Sequence, residues 1–127
     1  MEKNIKQLKS ILEKNPDIVR GDAPLVRWSI KYLKDSDMII LGEKFPSGTF
    51  YLHIKDGVMV RIDKKEKIYG FAIENAKSFI KKNPEVGFVF YPNVYPLRFW
   101  MHFFWKKSIT NIKRATTLSN FVAAQAV

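Results

Sequence analysis

The sequence contains no cysteine. A disulfide framework, a thiolate metal site and cysteine catalysis are therefore excluded, and the composition suits the reducing cytoplasm. Histidine is nearly as scarce, because only His53 and His102 occur and neither has an acid-rich or nucleophile-elbow context. The chain also lacks a phosphate-binding glycine loop and metal-ligand spacing. We therefore expect a protein that is not an enzyme and that needs no cofactor or metal.

Long apolar runs are missing as well. A membrane-spanning helix needs ~20 largely apolar residues. The most apolar stretch, Val86 to Trp105, is interrupted by Pro92, Pro96 and Arg98. The first six residues open an amphipathic pattern rather than the apolar core of a signal peptide. These features predict a cytoplasmic protein without an integral membrane segment.

Acidic residues are few compared with basic ones. Lys and Arg number 22 against 12 Asp and Glu, which gives a formal net charge of +10 and a pI of about 9.8. Such an excess attracts polyanions, and nucleic acid is the commonest polyanionic partner. Most of the cations are lysines, which bind phosphates as point charges and do not read bases as the arginine fork does. The composition favours backbone binding with little sequence preference, although lysines that only solubilise the surface give the same totals.

The 127 residues are enough for one domain with its own core. In chain order, the predicted elements are a helix over residues 2–14, a second helix from Asp22 to Lys34, a strand over Met38–Leu41, a hairpin of Thr49–Lys55 and Val58–Asp63, a helix over 72–82, a buried strand over Val86–Tyr91, and a helix over Ser108–Ala124. The segment Leu97–Trp105 fits a strand or a helix. This order predicts an α+β fold in which helices cover one face of an antiparallel sheet of four or five strands.

The helices also have predicted ends and inner faces. Asn15-Pro16 should end the first helix, because the residue before proline is pushed out of the helical region. The residues expected to point inward are Ile73, Ala76, Phe79 and Ile80 in the helix over 72–82, and Ile109, Ile112, Ala115, Ser119 and Val122 in the last helix.

The register of the hairpin follows from its apolar pattern. A two-residue loop would pair Lys55 with Val58, whereas a three-residue loop, Lys55-Asp56-Gly57, pairs Ile54 with Val58. Only the longer loop gathers the apolar residues on one face, namely Phe50, Leu52, Ile54, Val58, Val60 and Ile62. The opposite face then carries Tyr51, His53, Met59, Arg61 and Asp63. We predict the longer loop, with Gly57 in the left-handed conformation.

Basic residues recur at helical spacing on two predicted helices. Arg27, Lys31 and Lys34 fall on one edge of the second helix. Four more cations bracket the last helix: Lys106, Lys107, Lys113 and Arg114. A helix that exposes cations in a row suits contact with phosphates, so these seven residues are the predicted nucleic-acid site.

The N-terminal half has a further similarity. The helix Ile5–Lys14, the helical pattern of Leu25–Lys34 and the β-ribbon that follows resemble the ends of a winged-helix DNA-binding domain. The resemblance implies DNA binding. Residues 17–21 leave little room for that family's middle helix, and no residue role is transferred.

Aromatic side chains are concentrated in the segment 86–105. Rings interleaved with cations can stack on single-stranded bases, but bulky rings at alternate positions more often form a core or a subunit interface. Because residues 97–105 are apolar on both faces, we expect them to contact a partner chain or a second copy through Tyr95, Trp100 and Phe104. The alternative function is therefore a structural or adaptor subunit of a larger assembly.

One element invites comparison with metal-dependent nucleases. Asp63-Lys64-Lys65 follows a predicted strand, as an acid-x-lysine element does. Magnesium needs a second carboxylate, and the facing strand supplies Tyr51 and His53 instead. The sequence therefore argues against a nuclease.

Overall fold

The structure is a computed structural model that describes residues 2–20, 27–95 and 110–125. Its helices are α1 (Glu2–Lys14), α2 (Pro16–Arg20), α3 (Ala76–Lys82), α4 (Pro84–Gly87), α5 (Tyr91–Val94) and α6 (Asn111–Gln125), with a 3-10 turn at Phe88–Phe90. Its strands are β1 (Ser29–Leu33), β2 (Met38–Gly42), β3 (Phe50–His53), β4 (Val58–Ile62) and β5 (Ile68–Ile73). The predicted α+β fold is confirmed.

All five strands form one antiparallel sheet in the order β1-β2-β5-β4-β3. The helices cover one face. A single buried cluster joins that face to the helices, with Leu41, Val60 and Phe71 from the sheet and Ile11 and Leu118 from α1 and α6, all 0–1% exposed. Because strand side chains alternate, the other face carries Ser29, Lys31, Leu33, Met38, Ile40, Gly42, Tyr51, His53, Met59, Arg61, Gly70 and Ala72. We call this the outer face, and it bears no carboxylate.

The predicted first helix is confirmed as α1. Leu8 and Ile11 are buried in its apolar stripe. The helix ends where Asn15-Pro16 was expected to end it, because the residue before proline is pushed out of the helical region. Proline then starts the short helix α2, where its missing N–H has no cost.

The hairpin register is also confirmed. Phe50 lies opposite Ile62, and Leu52 lies opposite Val60. The Ile54 N–H donates to the Val58 carbonyl at 2.8 Å, and the Val58 N–H donates to the Lys55 carbonyl at 2.9 Å. Gly57 is left-handed, as predicted, with φ +85°. Asp56 is left-handed as well, with φ 53°, and this was not predicted.

The predicted second helix is wrong. Residues 29–33 form the edge strand β1, while residues 22–26 lie outside the described part of the chain. Apolar residues at 28, 30 and 32 also fit a period of two, and Trp28 is buried while Ile30 and Tyr32 pack against the core. The similarity to a winged-helix domain fails with this helix.

The helix predicted over 72–82 covers parts of two observed elements, a strand and a helix. Its first residues belong to β5, the central strand, and α3 begins only at Ala76. The residues expected to point inward, including Ile73 and Phe79, are buried, but Ile73 is buried from the sheet. The left-handed Asn75, with φ 50°, separates the two elements.

The predicted strand over Val86–Tyr91 is wrong as well. This segment consists of α4, the 3-10 turn and the start of α5. A short apolar run does not distinguish a buried strand from buried helical turns. Pro84 stands at the first position of α4, where proline favours a helix start.

The C-terminal helix is confirmed as α6. Ala115, Ser119 and Val122 point inward, as expected, and Leu118 is buried beside them. The segment 97–105, for which strand and helix stayed open, lies outside the described residues.

Candidate nucleic-acid interface

The structure separates the three cations predicted to share one helix face. Arg27 precedes β1, Lys31 lies on it and Lys34 follows it, and all three are exposed. A strand rises about 3.3 Å per residue, so the five residues of β1 alone place Arg27 and Lys34 more than about 13 Å apart. These residues cannot act as one helical stripe.

Arg114 is not on the surface at all. Its side chain is 9% exposed. The guanidinium donates to the Val89 carbonyl at 2.9 Å, to Asn111 Oδ1 at 2.8 Å and to Asn93 Oδ1 at 3.0 Å. Burial lowers the pKa of Arg114 from its ordinary value. The expectation that Arg114 contacts phosphate is therefore corrected, because its donors serve the junction of α5 and α6.

Of the remaining predicted site residues, two are described by the structure and four are not. Lys113 is exposed on α6. Tyr95 stacks on Tyr91, with ring centroids 4.9 Å apart and an interplanar angle of 30°, and packs against the core. Four predicted residues lie outside the described part of the chain: Lys106, Lys107, Trp100 and Phe104.

Antiparallel pairing brings a different set of cations to one end of the sheet. The loops 43–49 and 63–67 lie at this end, together with the last residues of β4 and the residues before β1. The cations of these loops and strand ends are Arg27, Lys44, Arg61, Lys64, Lys65 and Lys67, against the carboxylates Glu43, Asp63 and Glu66. We call this the basic end.

The opposite end is close to neutral. It contains the turns 34–37 and 55–57 with α3 and α4. Its cations are Lys34, Lys55, Lys77, Lys81 and Lys82, and its carboxylates are Asp35, Asp37, Asp56, Glu74 and Glu85. Among the described residues, the basic end therefore carries a larger excess of positive charge than the opposite end.

Two glycines on neighbouring strands leave space that an aromatic ring occupies. Gly42 of β2 pairs with Gly70 of β5 on the outer face. A Cβ added at Gly42 would lie 3.0 Å from Phe45 Cε1, and one added at Gly70 would lie 2.8 Å from the same atom. Any side chain at either position would therefore displace the Phe45 ring. The ring thus occupies space over the sheet that these two glycines leave open.

The Arg61 side chain packs on the rings of Phe45 and Tyr51. Phe45 and Tyr51 meet edge to face, with centroids 6.3 Å apart. The Arg61 guanidinium carbon lies 5.2 Å from the Phe45 centroid and 4.6 Å from the Tyr51 centroid, within cation–π range. Arg61 Nε also donates to Thr49 Oγ1 at 2.8 Å. These four residues, Phe45, Thr49, Tyr51 and Arg61, form what we call the Arg61 cluster.

Most N–H donors of the Arg61 guanidinium have no acceptor among the described residues. The guanidinium has five N–H groups, and only the one on Nε donates a hydrogen bond, to Thr49. Within the described ranges, the two terminal nitrogens of Arg61 have no hydrogen-bond acceptor and no carboxylate within ion-pair distance. The side chain is half-buried, so its position is held by packing. The cluster thus presents a positioned, unneutralised fork to solvent, the shape that binds phosphate bidentately.

The loop beside Arg61 is organised by Asp63. Asp63 Oδ1 accepts from the backbone N–H of Lys65 at 2.8 Å and of Lys67 at 3.0 Å, and Oδ2 accepts from Tyr69 Oη at 3.1 Å. The hydrogen bond from the Lys67 N–H contributes most to lowering the pKa of Asp63. The carboxylate of the acid-x-lysine element therefore closes a loop that presents Lys64 to solvent. No group of three His, Cys, Asp or Glu residues suited to a metal ion occurs in the described ranges.

Helix α1 holds this loop from the other side. Glu66 is left-handed, with φ 66°, and its carboxylate accepts from Lys14 Nζ at 2.8 Å and Ser10 Oγ at 3.0 Å. The bond from Lys14 lowers the pKa of Glu66. Buried Asn15 donates to the Glu66 carbonyl and accepts from the Ile68 N–H, both at 2.8 Å. These contacts fix the backbone from which the loop lysines project.

Comparison with known protein families, curated proteins and solved structures found no match to this chain. None of the helices in the described ranges combines the length and apolarity that crossing a bilayer requires.

Sequence reasoning missed Arg61 and the loop lysines as a site. Part of the signal was present, since the correct hairpin register already placed Tyr51 and Arg61 on one face. The contribution of Phe45 was not visible, because it depends on Gly42 meeting Gly70 of β5. The first four residues of this strand were assigned to no element, and its last two were assigned to a helix.

Proposed function

We propose that this protein is a non-enzymatic nucleic-acid-binding protein that grips phosphate backbone with the basic end of its sheet. The observation that carries the proposal is the Arg61 cluster, in which packing holds a guanidinium that lacks a carboxylate partner among the described residues. An arginine with only a structural role usually donates to several protein acceptors, as Arg114 does to three. Phosphate is the ligand whose oxygens match the open fork.

The lysines around Arg61 add affinity without sequence information. Lys44, Lys64, Lys65 and Lys67 are exposed point charges on two loops that flank the Arg61 cluster. Neutralising phosphates with such charges releases condensed counterions, so the affinity depends steeply on salt. The proposed division of labour is that Arg61 sets the position of one phosphate while the lysines attract its neighbours.

The test compares two triple variants that remove the same charge from opposite ends of the sheet. One is Lys44→Ala, Lys64→Ala, Lys65→Ala at the basic end, and the control is Lys34→Ala, Lys77→Ala, Lys81→Ala at the other. Affinity for labelled DNA and RNA is measured across a salt series. The basic-end variant should lower the slope of log affinity against log salt by up to about three, and the control should change it little. Equal losses in both variants would mean that binding follows net charge alone, which contradicts a defined site.

A single substitution tests Arg61. Arg61→Lys keeps the charge but loses the planar fork and its stacking, so affinity should fall roughly tenfold while the salt slope stays nearly constant. Thermal unfolding of the same variant checks that the fold is intact. Unchanged affinity would show that Arg61 does not contact the ligand.

The alternative, an adaptor subunit that docks through residues 86–105, stays a prediction. In the described part of this segment, Val89, Phe90 and Val94 are buried in the protein's own core. Phe88 is 50% exposed, so docking would depend on Phe88 and on the residues after Tyr95. Sedimentation analysis of the wild type decides whether the chain self-associates.

A further inference from the structure

A cavity opens at the basic end, beside the proposed phosphate site. Its volume is about 330 Å³, and it lies where the end of α1 and the start of α2 meet β5. Its inner wall includes Trp28, Ile18 and Ile68, which are 5–7% exposed. Tyr69 forms a further part of the lining, and four residues contribute charged groups: Lys14, Asp17, Glu43 and Lys67. Lys14 and Asp17 are engaged in ion pairs with Glu66 and Arg20. The volume is at the lower end of the range for small-molecule sites.

The aromatic walls are held in place by contacts made elsewhere. The Trp28 ring meets Phe71 edge to face, with centroids 6.0 Å apart, and the Trp28 carbonyl accepts from Asn111 Nδ2 at 2.7 Å. The Tyr69 hydroxyl donates to Asp63, and Lys67 Nζ lies 5.3 Å from the centre of its ring. The cavity is thus lined by rings whose positions do not depend on a ligand.

Glu43 is out of place in a site that binds only phosphate. The other two carboxylates of the basic end, Asp63 and Glu66, accept hydrogen bonds that organise the loop 63–67. Glu43 is exposed, and its backbone N–H donates to the Tyr69 carbonyl at 3.3 Å. Its carboxylate has no hydrogen-bond or ion-pair partner in the ranges that the structure describes. Its charge opposes phosphate binding, so a role in this site requires a ligand that brings N–H donors.

We propose that this cavity takes one unstacked base of a single-stranded nucleic acid whose phosphates lie on the basic end. The inference rests on the proposed function and narrows it to single strands, since a base inside a duplex cannot leave its stack at low cost. The base packs against the aromatic lining, as bases do on single-strand-binding proteins. Its Watson–Crick edge donates to the Glu43 carboxylate, and its phosphate meets Lys67.

The chemistry of Glu43 selects among the bases. A carboxylate accepts hydrogen bonds only, and its two oxygens match two adjacent donors. Guanine presents such a pair in its ring N–H and amino group, whereas thymine offers a single N–H. Guanine should therefore bind best at this position, and a strand without a base there should bind worst.

The experiment uses thymidine decamers that carry guanine, cytosine, thymine or an abasic unit at one central position, and it measures their affinity by fluorescence anisotropy. Stacking of a base on an aromatic ring adds to affinity, so the guanine strand should bind roughly tenfold tighter than the abasic strand. A duplex of the same length should show no dependence on the central base.

The variant Glu43→Gln separates the two roles by the sign of its effect. Removal of a negative charge should strengthen binding of the abasic strand, but loss of the paired acceptor should weaken binding of the guanine strand. Asp35→Asn is the matched control, because it removes an exposed carboxylate at the other end and should leave the ratio of the two strands unchanged.

Two results would overturn the inference while leaving the proposed function intact. One is equal affinity for the guanine and abasic strands, and the other is a Glu43→Gln variant that strengthens both strands alike. Failure of every strand to bind at low salt would instead reject nucleic-acid binding itself, and this inference with it.

Discussion

Substitution of Arg114 by alanine distinguishes a structural arginine from a phosphate ligand. The sequence pattern assigned this residue to the nucleic-acid site, whereas its guanidinium is buried and donates to three protein acceptors. A surface ligand can be removed with little effect on folding. A buried guanidinium cannot, because its acceptors lose their donor and its stem leaves a gap. The expected result is a loss of stability.

The magnitude follows from the partners. The Val89 carbonyl belongs to a residue that is 3% exposed, and an unsatisfied buried acceptor costs about 1–3 kcal/mol. Asn93 and Asn111 are only half-buried, so their amide oxygens can turn to water at smaller cost. Loss of the packed stem adds about 0.8 kcal/mol per buried methylene. The total is about 3–5 kcal/mol, a large part of the ~5–15 kcal/mol that stabilises a typical domain.

Urea unfolding followed by circular dichroism measures this loss. With an m-value of about 2 kcal/mol per M, the midpoint should fall by roughly 2 M at constant m. Lys113→Ala is the control, since it removes the same charge from the exposed neighbouring residue and should change stability by less than about 0.5 kcal/mol. If Arg114→Ala matches this control in stability but weakens DNA binding, the assignment of Arg114 to the interior would be refuted.

Three further predictions concern the scaffold. Gly57→Ala should cost at least about 1 kcal/mol by urea unfolding, because φ is +85° and the new Cβ would press on the Glu74 carbonyl oxygen. Gly70→Ala should cost about 1–3 kcal/mol through contact with Phe45 and the Leu41 carbonyl, and should also weaken any binding through Arg61. The hydrogen bond to Asp37 raises the pKa of Tyr32 to about 12, and the hydrogen bond to Asp63 also raises the pKa of Tyr69. Two tyrosines should therefore ionise late in an absorbance titration, and Asp37→Asn should remove only the delay that belongs to Tyr32. Because the folded pKa lies above the usual 10, this contribution to stability is present below pH 10 and is lost as the pH rises to about 12.

The parts of the fold that the sequence predicted correctly share a physical feature. In the hairpin, one register turns six apolar residues toward the core side, although Phe50 stays 44% exposed at the sheet edge, and the other register turns only three of them there. The energy gap between the two registers is therefore large. In α1, the apolar stripe and the Asn15-Pro16 stop indicate the same helix end. Where two independent local signals agree, tertiary context has little left to decide.

The wrong elements are those in which one signal fits two structures. Apolar residues at Ile30 and Leu33 fit a helix, but the alternation of Trp28, Ile30 and Tyr32 fits a strand equally well. Pairing with β2 along the whole of β1 decided between them, and that partner is not visible in the local pattern. The central strand β5 was hidden for a related reason, since Gly70 and Ala72 have low strand propensity. Gly70 leaves the space into which Phe45 packs.

The candidate site was unpredictable because of this missing strand. Without β5 the chain gives no reason for the loops 43–49 and 63–67 to lie together, so Lys44 and Lys64 look like unrelated surface charges. With β5 placed between β2 and β4, both loops fall at one end of the sheet, and Gly42 meets Gly70 beneath Phe45. Glycine thus has two effects here. Its low strand propensity makes β5 hard to predict, and its missing side chain leaves the space for the Phe45 ring on which Arg61 packs. A surface built in this way is encoded by pairing between distant segments, and the net charge of the sequence predicts its existence but not its position.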